Sequence, residues 1–182
     1  MNKLFLYIRN KITVDKGNVL KIDNSVKIRN CKIKIRGKGN SLIVHSLCSL
    51  NGLNIEIRGE NSTIEIGKCC VIGKNTYLSA KEGCSIKIGN NCMFSRNINI
   101  MTSDGHSIMS NNRRLNSAKS IEIGNHVWLA DDVIVLKGTK ICDNSVVGIS
   151  SVITKSFDKT NVLIVGNPGK IIKTDINWKE EL

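Results

Sequence analysis

Four short segments recur along the first half of the chain at a single spacing. Leu20-Lys21-Ile22, Leu42-Ile43-Val44, Ile64-Glu65-Ile66 and Ile86-Lys87-Ile88 each start 22 residues after the one before. The columns that follow keep step: Val26, Cys48, Cys70 and Cys92 are 22 apart, and so are Ile28, Leu50, Ile72 and Phe94. Independent columns with one period mean stacked coils, each too small to bury a core alone. Inside the coils runs a finer period of six, cleanest at Ile123, Leu129, Val135, Ile141, Val147 and Ile153. Four residues after each of the first five stands Val127, Val133, Thr139, Ser145 or Ser151.

An aliphatic residue, a smaller one and a tight turn make one side of a triangular coil, and three such sides close it. Asn and Gly supply the turns because they tolerate positive φ, as at Gly89-Asn90, Gly124-Asn125 and Asp143-Asn144. A single proline leaves nearly all backbone donors free for parallel ladders. The predicted fold is all-β, a left-handed parallel β-helix over residues 1–173. Its 22-residue coils are eighteen plus about four residues of bulge or longer corner; a right-handed β-helix is the alternative for that half.

The Cys48, Cys70, Cys92 column would stack at roughly the 4.8 Å inter-strand spacing, and a linear stack cannot give tetrahedral zinc geometry. The seven cysteines contain no CxxC pair, so reduced, buried thiols are expected and no metal. Met1 to Ile8 is apolar but too short to span a bilayer and lacks the features of a signal peptide. A cytoplasmic protein is expected from these features. Lys plus Arg is 27 and Asp plus Glu 15, a formal charge of +12, which favours anionic partners. Aromatics at 4% argue against nucleic acid, which needs stacking platforms. Residues 1–38 hold eleven bases and two acids. These are the outward positions of strands, or a surface for an acidic glycan or anionic lipid at the inner face of a membrane.

Ile121-Glu122-Ile123-Gly124-Asn125-His126-Val127-Trp128-Leu129-Ala130, the sixes after it, and Val165-Gly166-Asn167-Pro168-Gly169-Lys170 resemble the hexapeptide-repeat acyltransferases over roughly residues 60–173. The resemblance implies a homotrimer, acetyl-CoA as acyl donor in a groove between neighbouring coils, and a C-terminal helix or extension over 174–182. Gly169 stands where Ala is commoner in that family. Thr102-Ser103-Asp104-Gly105-His106-Ser107-Ile108 is similar to the Ser-Asp-x-His segment of enzymes that O-acetylate bacterial capsules, lipopolysaccharide and sialic acids. Those use a loop His and a downstream Trp, which Trp128 matches.

The ladder of sixes breaks once, between Ile100 and Ile121. Residues 103–119 read as a loop thrown out of the β-helix, where chemistry is usually placed. Acyl transfer from a thioester to a hydroxyl needs a base near neutrality, a donor for the oxyanion and a leaving thiolate, and His suits the first. Of three histidines only His106 lies in the loop; His126 falls in a turn and His45 follows Val44 near a corner. Asp104 could orient the His106 ring, although Asp-Gly is also a turn dipeptide. Trp128 points outward between inward Val127 and Leu129, and its face suits a sugar ring or the pantetheine arm. Asn97 and Asn99 precede the loop and could hold a sugar hydroxyl, or be turn residues.

From position in the resemblance, Lys155 and Lys170 would meet CoA phosphates. Asn167 and Pro168 would lie near the adenine, and the backbone amides around Ala130, Gly148 and Ser150 near the thioester and pantetheine. The expected activity is acetyl-CoA-dependent O-acetylation of a sugar hydroxyl in a surface polysaccharide or its precursor. The acceptor would be acidic or lipid-linked, which is compatible with peripheral membrane contact. N-acetylation of an amino sugar or nucleotide sugar is the alternative. A zinc hydratase on the same fold needs three converging histidines, and His45 is remote from the other two in sequence. A non-enzymatic scaffold would have no use for the Asp-Gly-His loop.

Overall fold

The computed structural model describes residues 3–180, and Glu181 and Leu182 of the expected extension lie outside the described residues. Three parallel sheets form the sides of one triangular solenoid. Face A comprises Lys11–Val14, Lys32–Lys38, Asn54–Glu60, Tyr77–Lys81, Asn99–Met101, Ile134–Leu136 and Val152–Ile153. Face B comprises Val19–Ile22, Ser41–Val44, Thr63–Ile66, Ser85–Ile88, Ile121–Ile123 and Lys140–Ile141. Face C comprises Lys27–Arg29, Ser49–Asn51, Val71–Ile72, Met93–Phe94, Trp128–Leu129, Val146–Val147 and Leu163–Gly166, closed by antiparallel Gly169–Lys173. The same faces run through both halves, so the 22-residue and 18-residue coils belong to one solenoid.

Register explains the repeats. Ile33, Ile55, Leu78, Ile100, Val135 and Ile153 form one column on face A. Val44, Ile66, Ile88, Ile123 and Ile141 form the column on face B. Ile28, Leu50, Ile72, Phe94, Leu129, Val147 and Ile164 form that on face C. All of them are buried. Each aliphatic side chain therefore rests on the one above and below it, and the core is a continuous apolar rod.

The extra residues of the early coils sit at one place. Ile66 to Ile72 and Ile72 to Leu78 are single steps of six, as is Val135 to Ile141, whereas Ile55 to Ile66 takes eleven. The corner from face A to face B therefore takes up the surplus. The 103–119 loop leaves the solenoid at that same corner, since it joins Asn99–Met101 on face A to Ile121–Ile123 on face B.

The other two corners repeat a left-handed residue from coil to coil, except that the first B-to-C corner has none. From C to A these are Asn30, Gly52, Asn75, Asn97, Asp132 and Ser150; from B to C they are Leu47, Cys69, Asn91, His126, Asn144 and Asn161. Asn97 is thus a corner residue. Its amide donates to Asp132 at 2.8 Å and its Oδ1 accepts from Asn75 at 3.1 Å, in a ladder along the edge.

Two elements go beyond the sequence expectation, and a third takes one of the two forms it allowed. Lys3–Arg9 is a short helix that covers the first coil, where no helix was read. The loop carries a two-stranded hairpin, Met109–Ser110 with Arg113–Arg114, around Asn111 and Asn112 at φ 46° and 59°, the geometry of a type I′ turn. Of the expected C-terminal helix or extension, the described residues 174–180 form the extension. It folds back, and Ile176 N–H donates to Asn161 O at 3.0 Å. The cysteine column is as expected: Cys48, Cys70 and Cys92 are buried and free. Hydrogen bonding to Cys70 and burial push the Cys48 thiol above its ordinary range. No group of three metal-ligating side chains forms among the described residues.

Tight stacking makes some glycines irreplaceable on steric grounds. A Cβ on Gly89 would lie 2.5 Å from Gly124 O and 2.6 Å from Gly124 C, both main-chain atoms of the next coil. Gly89→Ala is expected to cost about 3 kcal/mol, the scale of core overpacking. Thermal unfolding followed by circular dichroism checks this, and an unchanged midpoint would mean that the coils separate freely.

Candidate active site

The 103–119 loop is held by charge and by one buried amide. Glu82, at the corner below, is gripped by both terminal nitrogens of Arg114 and accepts from Ser103 Oγ. Arg114 first and Ser103 second hold the Glu82 carboxyl down at about 2. On the other side, Lys137 from the corner above reaches Asp104 Oδ2 at 2.5 Å and Asn116 O at 2.8 Å. Lys137, then Asn116, holds the Asp104 carboxyl below the ordinary range.

Asn116 is the loop's buried centre, at 8% exposure. Its Nδ2 donates to Asp104 Oδ2 at 2.7 Å and to His106 O at 2.8 Å, and its Oδ1 accepts from Ile108 N at 2.7 Å. One side chain thus fixes the backbone on both sides of His106. The His106 ring is exposed and has no hydrogen-bond partner among the described residues. The expected Asp104–His106 pairing is not formed, because Lys137 and Asn116 hold the Asp104 carboxylate. The hairpin presents an apolar surface, with Ile108, Met109 and Leu115 exposed at 57%, 57% and 66%.

Trp128 lies on face C, half-buried, with Val127 and Leu129 inside the core. Its indole N–H donates to Ser95 Oγ at 3.2 Å. Trp178 of the extension packs beside it, with ring centroids 6.0 Å apart. Trp178 also stacks on His126 at 4.2 Å and 11°, and its indole N–H donates to His126 O at 2.9 Å. His126, expected as a solvated corner, is therefore an aromatic partner at a left-handed corner. His45 pairs with Glu65 at 2.8 Å on the lower coils, far along the chain from the loop.

Ala130, Gly148 and Ser150 line up along the C-to-A edge above Asn97, with Asn167, Pro168 and Lys170 at its top. Of the backbone amides around these positions, expected near the thioester and pantetheine, those of the three residues themselves are already engaged. Ala130 N donates to Val147 O, Gly148 N to Ile164 O and Ser150 N to Asp131 O, at 2.9–3.0 Å, so all three belong to the coil ladder. That edge does offer exposed Ile149, at 63%, and from Lys170 the closing strand carries Ile171 and Ile172, exposed at 37% and 62%, back across face C. An apolar strip ending in a base suits a pantetheine arm followed by phosphates. At Gly169 a Cβ would meet Ile153 Cδ1 at 2.6 Å, so the commoner Ala would require that side-chain end to shift. Asn99 faces outward on face A and donates to Asn97 O. Lys155 lies elsewhere, past Val152–Ile153 at the A-to-B edge, over the Phe157 ring.

The candidate residues thus fall into two groups on different sides of the prism. His106, Asp104, Asn116 and Lys155 occupy the A-to-B edge. Trp128 sits on face C, opposite that edge, with Ala130, Gly148, Ser150, Asn167, Pro168 and Lys170 beside it. Yet the loop and Trp128 belong to the same coil, since the chain runs from the loop through face B directly to Trp128.

No protein-family model matches the chain. Over 60 residues it is 43% identical to the putative lipopolysaccharide biosynthesis O-acetyl transferase WbbJ of Escherichia coli K12, covering 33% of this chain and 30% of that protein. The chain's match thus spans under a third of the length of that curated relative. Solved structures match over far more. The polySia specific acetyltransferase NeuO superimposes with a TM-score of 0.78 at 28% identity, over 94% of this chain and 88% of that one. A hexapeptide-repeat-containing acetyltransferase of Vibrio cholerae, solved with acetyl-CoA, gives 0.53 at 26% identity over 61% and 60%. The polysialic acid O-acetyltransferase OatWY gives 0.69 at 31% identity over 91% of this chain and 89% of that one. With the coil columns in register and this identity extending over nearly the whole solenoid, the chain belongs to the hexapeptide-repeat acyltransferases.

Proposed function

We propose that this protein transfers the acetyl group of acetyl-CoA to a sugar hydroxyl, with His106 as general base, in sites shared between neighbouring copies of a homotrimer. The observation that carries this is the division of the candidate residues between the A-to-B edge and the opposite face at one coil level. A rigid prism cannot bring its own edge to its own opposite face. A second copy related by rotation about a parallel axis, with no shift along it, can bring its loop to Trp128, and such a heterologous contact closes as a ring.

The outer surfaces support the same arrangement. Val71, Met93, Trp128, Val146 and Leu163 form one outward apolar column on face C, in which Val71 is exposed, Val146 is already buried and Trp128 is flanked by Trp178. Face B instead carries alternating charge, Glu65, Lys87, Glu122 and Lys140. An apolar column is what the exposed Ile108, Met109 and Leu115 of a neighbour's hairpin would cover.

In this site the His106 ring takes the proton of the acceptor hydroxyl as its oxygen attacks the acetyl carbonyl, and returns it to the departing thiolate. Asp104 does not orient that ring directly; Asn116 and Lys137 fix the turn that carries it. Trp128 supplies an aromatic face for the sugar or the pantetheine arm, and Asn97 and Asn99 flank the entry. Ile149 and Lys170, with Asn167 and Pro168, form the donor's path, and Lys155 on the A-to-B edge would reach the donor bound to a neighbour. The named acceptors of NeuO and OatWY are polysialic acid, which supports a surface polysaccharide or its precursor as acceptor here. No helix among the described residues is long and apolar enough to cross a membrane. The free cysteines support a reducing, cytoplasmic setting.

Thiol release from acetyl-CoA, with a glycan panel and mass analysis of the product, tests the activity; alkali-labile acetyl on the sugar is expected. His106→Ala should lower kcat at least about a hundredfold while CoA binding and the thermal midpoint stay unchanged, and near-normal turnover would remove His106 from the mechanism. Asn116→Ala should lower kcat at least about tenfold with little change in KM, because the turn around His106 loses three hydrogen bonds. An unchanged kcat would show that the loop holds its shape without it.

A further inference from the structure

The end of the solenoid below the first coil takes no part in the chemistry above, and its surface is unusual for a capped repeat. On faces A and B the inward side chains of that coil, Ile12, Val14, Leu20 and Ile22, are only partly buried, whereas Val26 and Ile28 toward face C and the inward side chains of the coils above are sealed. The helix Lys3–Arg9 lies over this opening with Leu6 turned in. Asn10 pins it: its Nδ2 donates to Leu6 O, and its Oδ1 accepts from Cys31 N, both at 2.9 Å. Terminal caps of repeat proteins normally turn a polar face to water. This one turns out Tyr7 and Ile8, exposed at 56% and 67%.

Around that apolar tip runs a collar of bases on all three sides. Lys11 lies on face A, Lys16 at the A-to-B corner, Lys21 on face B, and Lys27 and Arg29 on face C, with Lys32 and Arg36 one coil higher. All seven are exposed, and none is in an ion pair among the described residues. The nearby acids are occupied: Asp15 accepts from Gly37 N, and Asp23 accepts from Ser25.

We infer that this end docks on an anionic lipid bilayer, with the solenoid axis standing away from the membrane. A basic ring closed around three faces fits a plane met end-on, whereas a soluble polyanion would be tracked by a stripe along one face. A polyanion would also have no use for exposed Tyr7 and Ile8, while the interfacial layer of a bilayer accepts an amphipathic ring beside an aliphatic side chain. The surface belongs to a single chain. The gain in avidity from three such ends facing one plane rests on the homotrimer proposed above. Four coil steps separate Lys11 from Asn99, so His106 would work roughly 20 Å above the lipid surface. That height suits a glycan carried on a membrane lipid.

Sedimentation with vesicles tests this without reference to catalysis. The protein should pellet with phosphatidylglycerol–phosphatidylethanolamine vesicles and not with pure phosphatidylcholine, and salt should release it. Each lysine reversed should weaken binding by at least about fivefold, so the triple variant Lys11→Glu, Lys21→Glu, Lys27→Glu should stay in the supernatant. Tyr7→Ser with Ile8→Ser should weaken vesicle binding about tenfold and leave thiol release unchanged. Equal binding to both vesicle types overturns the inference. So does dextran sulfate binding that matches vesicle binding and is indifferent to Tyr7 and Ile8, which would make the collar a polyanion site. Where a variant fails to fold, salt release and lipid preference of the unmodified protein still decide. Thiol release on the same samples separates failure of docking from failure of the transferase assignment.

Discussion

Coil-to-coil hydrogen bonding in parallel register governs nearly everything about this molecule. Because each strand sits roughly 4.8 Å from the next, a side chain has only its own column to occupy, and every coil must offer a residue that fits that column. Aliphatics fill the three inward columns, left-handed residues fill two corners, and Gly67, Gly89 and Gly124 run where a Cβ would strike the main chain of the coil above. Variation is permitted only where the chain leaves the stack. One corner, from face A to face B, takes up both the surplus residues of the early coils and the 103–119 loop.

That rigidity decides how a site can be made. The loop carries His106 on one edge, and the face carrying Trp128 is turned away from it, so within a single chain the two groups stay apart. The loop itself does not flex freely, since the Glu82–Arg114 and Asp104–Lys137 pairs anchor it below and above and Asn116 braces its turn. An exposed imidazole without a partner among the described residues, on a braced loop with an apolar hairpin beside it, faces outward. The same logic explains why the N–H groups of Ala130, Gly148 and Ser150 themselves are taken: each is part of the coil-to-coil ladder.

The coil columns, the inward side chains, the place of the loop and the outward setting of Trp128 were legible in the sequence, because a repeat prints its geometry as spacing. What repeated only once was not. The helix Lys3–Arg9 is too short to show a helical period. The hairpin was signalled by Asn111-Asn112, a pair suited to a type I′ turn, but it sat inside a segment read as plain loop. Asn116 carries no motif; its role emerges only when Asp104, His106 and Ile108 converge on it. Trp178 lies 50 residues from Trp128 in sequence, and nothing in its neighbourhood indicates that the extension folds back onto His126. Asp104 was assigned to His106 from the Asp-Gly-His string, and Lys137, which holds it instead, arrives from the next coil.

Mixing two inactive variants tests the shared site most directly. His106→Ala and Trp128→Ala copies, each purified, are dissociated and reassociated together, and acceptor-dependent thiol release is measured. If a site takes its loop from one copy and its face C from the next, random assembly should restore about a quarter of the sites to full composition, and activity should return to about that fraction. If the mixture stays as inactive as either variant alone, while exchange of subunits is verified, His106 and Trp128 do not act together across copies and the shared site is wrong.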